Sequence, residues 1–125
     1  MSSLRRVGIT VELLRHEPPA RTLAKGKHQK RPVFTVLERV NDPDDLLPQL
    51  LDRVYNSGRT PTVDRIDPHG YVIFDEAQVR SLLVELPQLA KVAHEEWAQQ
   101  MVRELQRLST ACLATPGLKL RFDGD

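Results

Sequence analysis

Residues 67–78 read Asp-Pro-His-Gly-Tyr-Val-Ile-Phe-Asp-Glu-Ala-Gln, and this short run holds three kinds of local structure. Pro68 supplies the preset φ that a β-turn wants at its second position and Gly70 closes the turn cheaply, so 67–70 reads as a corner. Tyr71 to Phe74 are aromatic and β-branched, the composition of a short strand. Asp75 followed three residues later by Gln78 reads as a capping box, and Val79, Leu82, Leu83 and Leu86 then recur at helical spacing. A turn that feeds a strand, which empties into a helix, predicts a mixed architecture.

Working back from this stretch, 60–67 (TPTVDRID) is expected to be a strand with Pro61 at its start, where a missing N–H is tolerated, which makes 67–70 a hairpin corner. Residues 41–58 (NDPDDLLPQLLDRVYNSG) read as a helix over 43–57. Asn41 or Asp42 caps it, Pro43 opens it and Gly58 follows its end. Leu46, Leu47, Leu50, Leu51, Val54 and Tyr55 share one face, and Pro48 disturbs it only modestly. Further back, 33–40 (VFTVLERV) reads as a strand, and Val7, Ile9, Val11 and Leu13 alternate with polar or small residues as a half-buried strand does. Between these two strands, 16–32 carries prolines and Lys/Arg without periodicity, which predicts an exposed, flexible loop.

Working forward, Pro87 is expected to kink or divide the helix it interrupts. Leu89, Val92 or Ala93, Trp97, Met101, Leu105, Leu108 and Cys112 continue the apolar stripe beyond it. Pro116-Gly117 ends the helical pattern, and Leu118, Leu120 and Phe122 alternate as a closing strand. The fold class expected is α+β, in one domain over residues 1–125. Its antiparallel or mixed sheet of about four or five strands carries one short helix and a long helix pair, 76–114, divided by proline.

Composition agrees with a single hydrophobic core: the chain has 125 residues, 40% of them hydrophobic and 28% charged, enough to fold without disulfide or metal. Its one cysteine, Cys112, cannot form an internal disulfide, which fits a reducing compartment and a cytoplasmic location. No window approaches the ~20 apolar residues of a membrane span. The net charge is only +1, yet the first 32 residues hold eight Lys/Arg against two acids. That asymmetry is the compositional clue to a partner.

The segments IDPHGYVIFDEAQ (66–78), LLVELPQL (82–89) and LRFDGD (120–125) resemble a group of small bacterial proteins. The shared features are an Asp-Pro-x-Gly turn, Phe and Gln before a helix, a Glu-Leu pair and a terminal Phe-x-Gly-Asp. The resemblance covers residues 66–89 and 118–125 and implies an intracellular bacterial α+β protein with no known reaction.

Catalytic signatures do not emerge from the spacing of reactive residues. Gly26-Lys27 lacks the first glycine and the hydroxyl residue of a phosphate loop, since Arg21 and His28 stand there, and HEEWA (94–98) has Ala98 where a second metal-binding His is needed. His16, His28, His69 and His94 fall on separate elements, so neither a metal nor a cofactor is expected. Cys112 follows the helical stripe and reads as core. Asp64, Asp67, Asp75, Asp123 and Asp125 would gather if the last strand paired beside 60–74, and clustered carboxylates can hold a cation or act as acid and base. The basic run Arg21, Lys25, Lys27, His28, Lys30 and Arg31 can meet an acidic protein surface or phosphates, although no aromatics are interleaved for base stacking. These observations favour a non-enzymatic, intracellular bacterial protein-interaction module of the immunity or regulatory kind, with Arg21, Lys25, Lys27, Lys30 and Arg31 contacting an acidic partner. A nucleic-acid-binding protein is the second reading, and an enzyme using the aspartates is the third.

Overall fold

The computed structural model describes residues 8–17 and 33–124. In chain order these form β1 (Thr10–Glu17), β2 (Val33–Val40), α1 (Leu47–Asp52), a 3-10 turn (Val63–Arg65), β3 (Tyr71–Phe74), α2 (Glu76–Lys91), α3 (Glu96–Ala114) and β4 (Leu118–Asp123). The strands make one four-stranded sheet in the order β2-β1-β4-β3, antiparallel throughout. The fold is α+β, as the alternation of strand and helix patterns predicts.

Directly opposed residues in an antiparallel sheet share a face, and the pairings Val11 with Phe122, Leu13 with Leu120, Val72 with Phe122 and Phe74 with Leu120 therefore define the apolar side. Against it pack Val79, Leu82, Leu86 and Leu89 of α2 and Ala98, Val102, Leu105, Leu108 and Cys112 of α3, all buried. The rings of Phe74 and Phe122 meet at 5.4 Å in a tilted arrangement at the centre of this layer. The opening turn–strand–helix stretch holds as read in its second half. Asp75 accepts the amide of Gln78 at 3.0 Å, and the Gln78 side chain accepts the amide of Asp75 at 2.9 Å, closing the capping box at the start of α2.

Four expectations need correction. Residues 60–67 are not a strand, because their amides go to turn carbonyls (Asp64 to Thr60, Arg65 to Thr62, Ile66 to Val63) and to a remote side chain instead of a neighbouring strand. Glu85, buried in α2, accepts the amide of Thr62 with both oxygens (2.9 and 3.0 Å) and that of Val63 with one (2.9 Å). Asp64 turns back to the Thr60 hydroxyl at 3.3 Å and the Asn56 amide at 3.0 Å. What results is the 3-10 turn, and 67–70 joins it to β3 rather than closing a hairpin.

The helix expected over 43–57 shrinks to α1. Pro43 lies before it, while Pro48 occupies its first turn, where a missing N–H costs nothing. The N-cap is Leu46, not Asn41 or Asp42, although Asp42 accepts the amides of Leu46 and Leu47 at 2.9 and 2.8 Å just ahead of the helix, and Tyr55 beyond the helix is exposed, not buried. Pro87 does not divide the helix at its position. It sits on the exposed side of α2, which continues to Lys91. The division falls at residues 92–95, where Arg53 donates to the Val92 carbonyl at 2.9 Å and grips the Glu95 carboxylate. Finally, β1 begins at Thr10 and runs on to Glu17, and the loop expected at 16–32 lies outside the described residues beyond that point.

Two glycines tie remote segments together by close approach. Gly8 has φ +55° and leaves no room for a Cβ beside the Asp42 backbone and carboxylate. Gly124 donates its amide to the Gly70 carbonyl at 2.6 Å, and a Cβ there would strike the Pro68 carbonyl. The Asp-Pro-x-Gly turn and the Phe-x-Gly end of the chain are therefore one contact in space.

Candidate functional site

The structure places only some of the reactive residues singled out in the sequence. The basic residues Arg21, Lys25, Lys27, His28, Lys30 and Arg31 lie outside the described residues, as does Asp125. The other aspartates do not converge into a catalytic group. Asp75 caps α2, Asp64 braces the loop before the 3-10 turn, and Asp67 accepts the His69 amide at 2.8 Å within its own turn. Among the described residues no group of His, Cys, Asp and Glu could hold a metal ion. His16 packs edge-on against Phe34 with ring centres 5.5 Å apart, and His69 and His94 are exposed in separate turns. Cys112 is buried, and burial pushes its thiol up to about 11, so it stays protonated and unreactive near neutral pH.

The feature that local chemistry does not account for is β2. Its eight residues carry Val33, Phe34, Val36, Leu37 and Val40, yet none of the eight is buried. Val33 is 50% exposed, Leu37 39% and Val36 36%. The strand stands at one end of the sheet order, paired with β1 alone among the described residues. The register slips between Leu13 and Leu14 of β1, so that Leu37 is passed over in β2. Such a bulge twists an edge and limits regular pairing beyond it. The stretch Val33–Val36 keeps a regular ladder and follows directly on the basic run.

Beside β2, Glu12 of β1 accepts from two arginines on neighbouring strands. Arg39 donates to Oε2 at 2.8 Å, and Arg121 donates to Oε1 through Nε at 2.8 Å and Nη2 at 2.6 Å. Burial opposes ionisation of Glu12, but the hydrogen bonds from Arg121 and Arg39 outweigh it and hold the carboxyl below its usual range. This ionic crosspiece spans β2, β1 and β4 and keeps the edge strand in register. Arg107 of α3 adds a tie from the helix layer, donating to Glu38 of β2 at 2.6 Å and to Glu104 at 2.7 Å. The edge is therefore preformed, which lowers the ordering cost of any partner that adds to it.

Sequence reasoning identified β2 as a strand but not as the exposed edge, and the available signal was its run of five apolar residues without a strict alternation. No family model, no curated protein and no solved structure matches the chain. Among the described residues no helix is long and apolar enough to cross a membrane.

Proposed function

We propose that this chain is a non-enzymatic protein-interaction module, intracellular and of the regulatory or immunity kind, and that it takes an extended acidic segment of its partner along β2. The observation that carries the reading is the apolar, unburied edge strand with exposed Val33, Val36 and Leu37. An edge strand offers a row of backbone donors and acceptors, and an extended peptide can ladder onto them while neighbouring side chains select its sequence. Isolated apolar residues on a surface are ordinary, but three exposed ones gathered on one edge strand, Val33, Val36 and Leu37, mark a contact. Charge supports an acidic partner, since Arg21, Lys25, Lys27, Lys30 and Arg31 immediately precede this strand in the chain. The lone, buried, protonated Cys112 accords with a reducing compartment such as the cytoplasm.

The test is affinity capture from cells that make the protein, comparing the native chain with a V36E/L37E variant whose thermal midpoint is unchanged. An acidic protein retained by the native chain and lost by the variant supports the reading. The same protein retained equally by both removes β2 from the contact. If the captured material instead absorbs at 260 nm and is released by nuclease, the basic run binds nucleic acid and the second reading replaces the first.

A further inference from the structure

A concave surface lies among α1, the 3-10 turn and the 67–70 corner, away from β2 in the chain and independent of the reading above. It is a cleft of about 470 Å³, within the size range of sites that take small organic molecules. Leu51, Val63 and Ile66 are the buried apolar residues that line it, and Tyr55, Asp52 and Asp67 stand exposed at its margin. Among the described residues no Lys, Arg or His lines the cleft, whereas Asp52, Asp64 and Asp67 all do.

The three carboxylates are not equivalent. Asp64 is spent on the Asn56 amide and the Thr60 hydroxyl, and Asp67 gives one oxygen to the His69 amide. The Asp52 carboxylate makes no hydrogen bond or ion pair within the described residues, its backbone carbonyl alone accepting from the Tyr55 amide at 3.3 Å. It is also the last residue of α1, which has no basic residue in its final turn, so a carboxylate stands at the helix end where backbone carbonyls already concentrate negative charge. The adjacent cation does not relieve it: Arg53 is committed to Glu95 and Val92, with its guanidinium 5.4 Å from the Trp97 ring. The cleft thus joins an apolar floor to an uncompensated negative margin and an exposed aromatic ring.

We propose that this cleft binds a small organic cation, an amidinium, guanidinium or ammonium carried on an apolar body. The body covers Leu51, Val63 and Ile66, while the charge lies at Asp52 and Asp67 with the face of Tyr55 available to it. Charged hydrogen bonds to a carboxylate are shorter and stronger than neutral ones, and an aromatic face adds attraction for the same charge. A neutral ligand of the same shape gains only the floor, and an anion is repelled.

Benzamidinium serves as the probe, with neutral benzamide and anionic benzoate as matched controls. Amide resonances of the isotopically labelled protein are followed by NMR. Benzamidinium is expected to shift the amides of Asp52, Tyr55, Val63 and Asp67 saturably, with benzamide weaker by about tenfold and benzoate without effect. Asp52→Asn, at an exposed position without side-chain partners, is expected to weaken benzamidinium by about fivefold to tenfold while leaving the spectrum elsewhere and the melting midpoint unchanged. Equal affinity for benzamide, shifts confined to another region, an unaltered affinity in D52N, or no saturable shift overturns the proposal.

Discussion

At the level of single residues, the clearest economy is the use of buried carboxylates to cap backbone rather than to do chemistry. Glu85 spends both oxygens on the amides of Thr62 and Val63, which would otherwise be orphaned at the start of a 3-10 turn. Removing it leaves those donors without an acceptor in a partly buried site. Glu85→Ala is expected to lower the unfolding free energy by about 2–4 kcal/mol. Glu85→Gln should lose about half as much, because one oxygen remains while the new NH2 faces donors. Urea titration of the three proteins checks both values, and a loss under about 1 kcal/mol in the alanine variant would show that the turn finds other partners. The Asp75–Gln78 box was readable in the sequence because donor and acceptor lie within one turn. The Glu85 clasp was not, because its partners are more than twenty positions away, and nothing local separates a buried glutamate from a solvated one. That hidden clasp is why 60–67, a plausible strand by composition, folds as a turn.

At the level of elements, proline and the Arg53–Glu95 contact show how tertiary context overrides local grammar. Pro87 stands late in the sixteen-residue α2, and the apolar face formed by Leu82, Leu86 and Leu89 holds the helix together across the missing hydrogen bond. Pro87→Ala restores the donor at an exposed site and is expected to stabilise the protein by about 1–3 kcal/mol. A destabilised variant in thermal or urea unfolding would mean that the ring itself packs against a neighbour. The break between α2 and α3 is bridged by Arg53, which donates to Glu95 at 2.7 Å through each of two nitrogens. That hydrogen bonding brings the Glu95 carboxyl down to about 2. A carboxylate whose folded value is depressed adds stability that is complete above its unfolded value, and this stability is lost as pH falls towards the folded value. Unfolding measured between pH 4.5 and 2 should therefore show a downward slope with acidification that is shallower in Glu95→Gln. Parallel slopes in the two proteins would assign the acid sensitivity to other carboxyls, Glu12 first among them.

Across the whole molecule, the strand patterns were legible one at a time, but the order β2-β1-β4-β3 was not. Alternation says which face of a strand is buried and nothing about its neighbours, so the edge position of β2 and the central position of the last strand had to come from the fold. On the proposed reading, recognition divides between the basic run and β2. Lys25, Lys27, Lys30 and Arg31 come before β2 in the chain, and charges of one sign near a docking surface act mainly on the rate of encounter, whereas the apolar contact acts on the lifetime of the complex. Replacing those four cations with glutamine should slow association with an acidic partner by about tenfold at low salt and leave the dissociation rate nearly unchanged. The V36E/L37E variant should do the reverse in part, raising the dissociation rate at least as strongly as it lowers the association rate. Adding salt separates the two, because screening over a Debye length of ~8 Å near physiological ionic strength weakens steering but not apolar burial. Association of the native chain should fall steeply with salt, and that of the glutamine variant should be nearly flat. Stopped-flow binding at several salt concentrations reads both rates. A glutamine variant that associates as fast as the native chain at low salt would leave β2 as the whole of the contact and strip the charge asymmetry of any part in it.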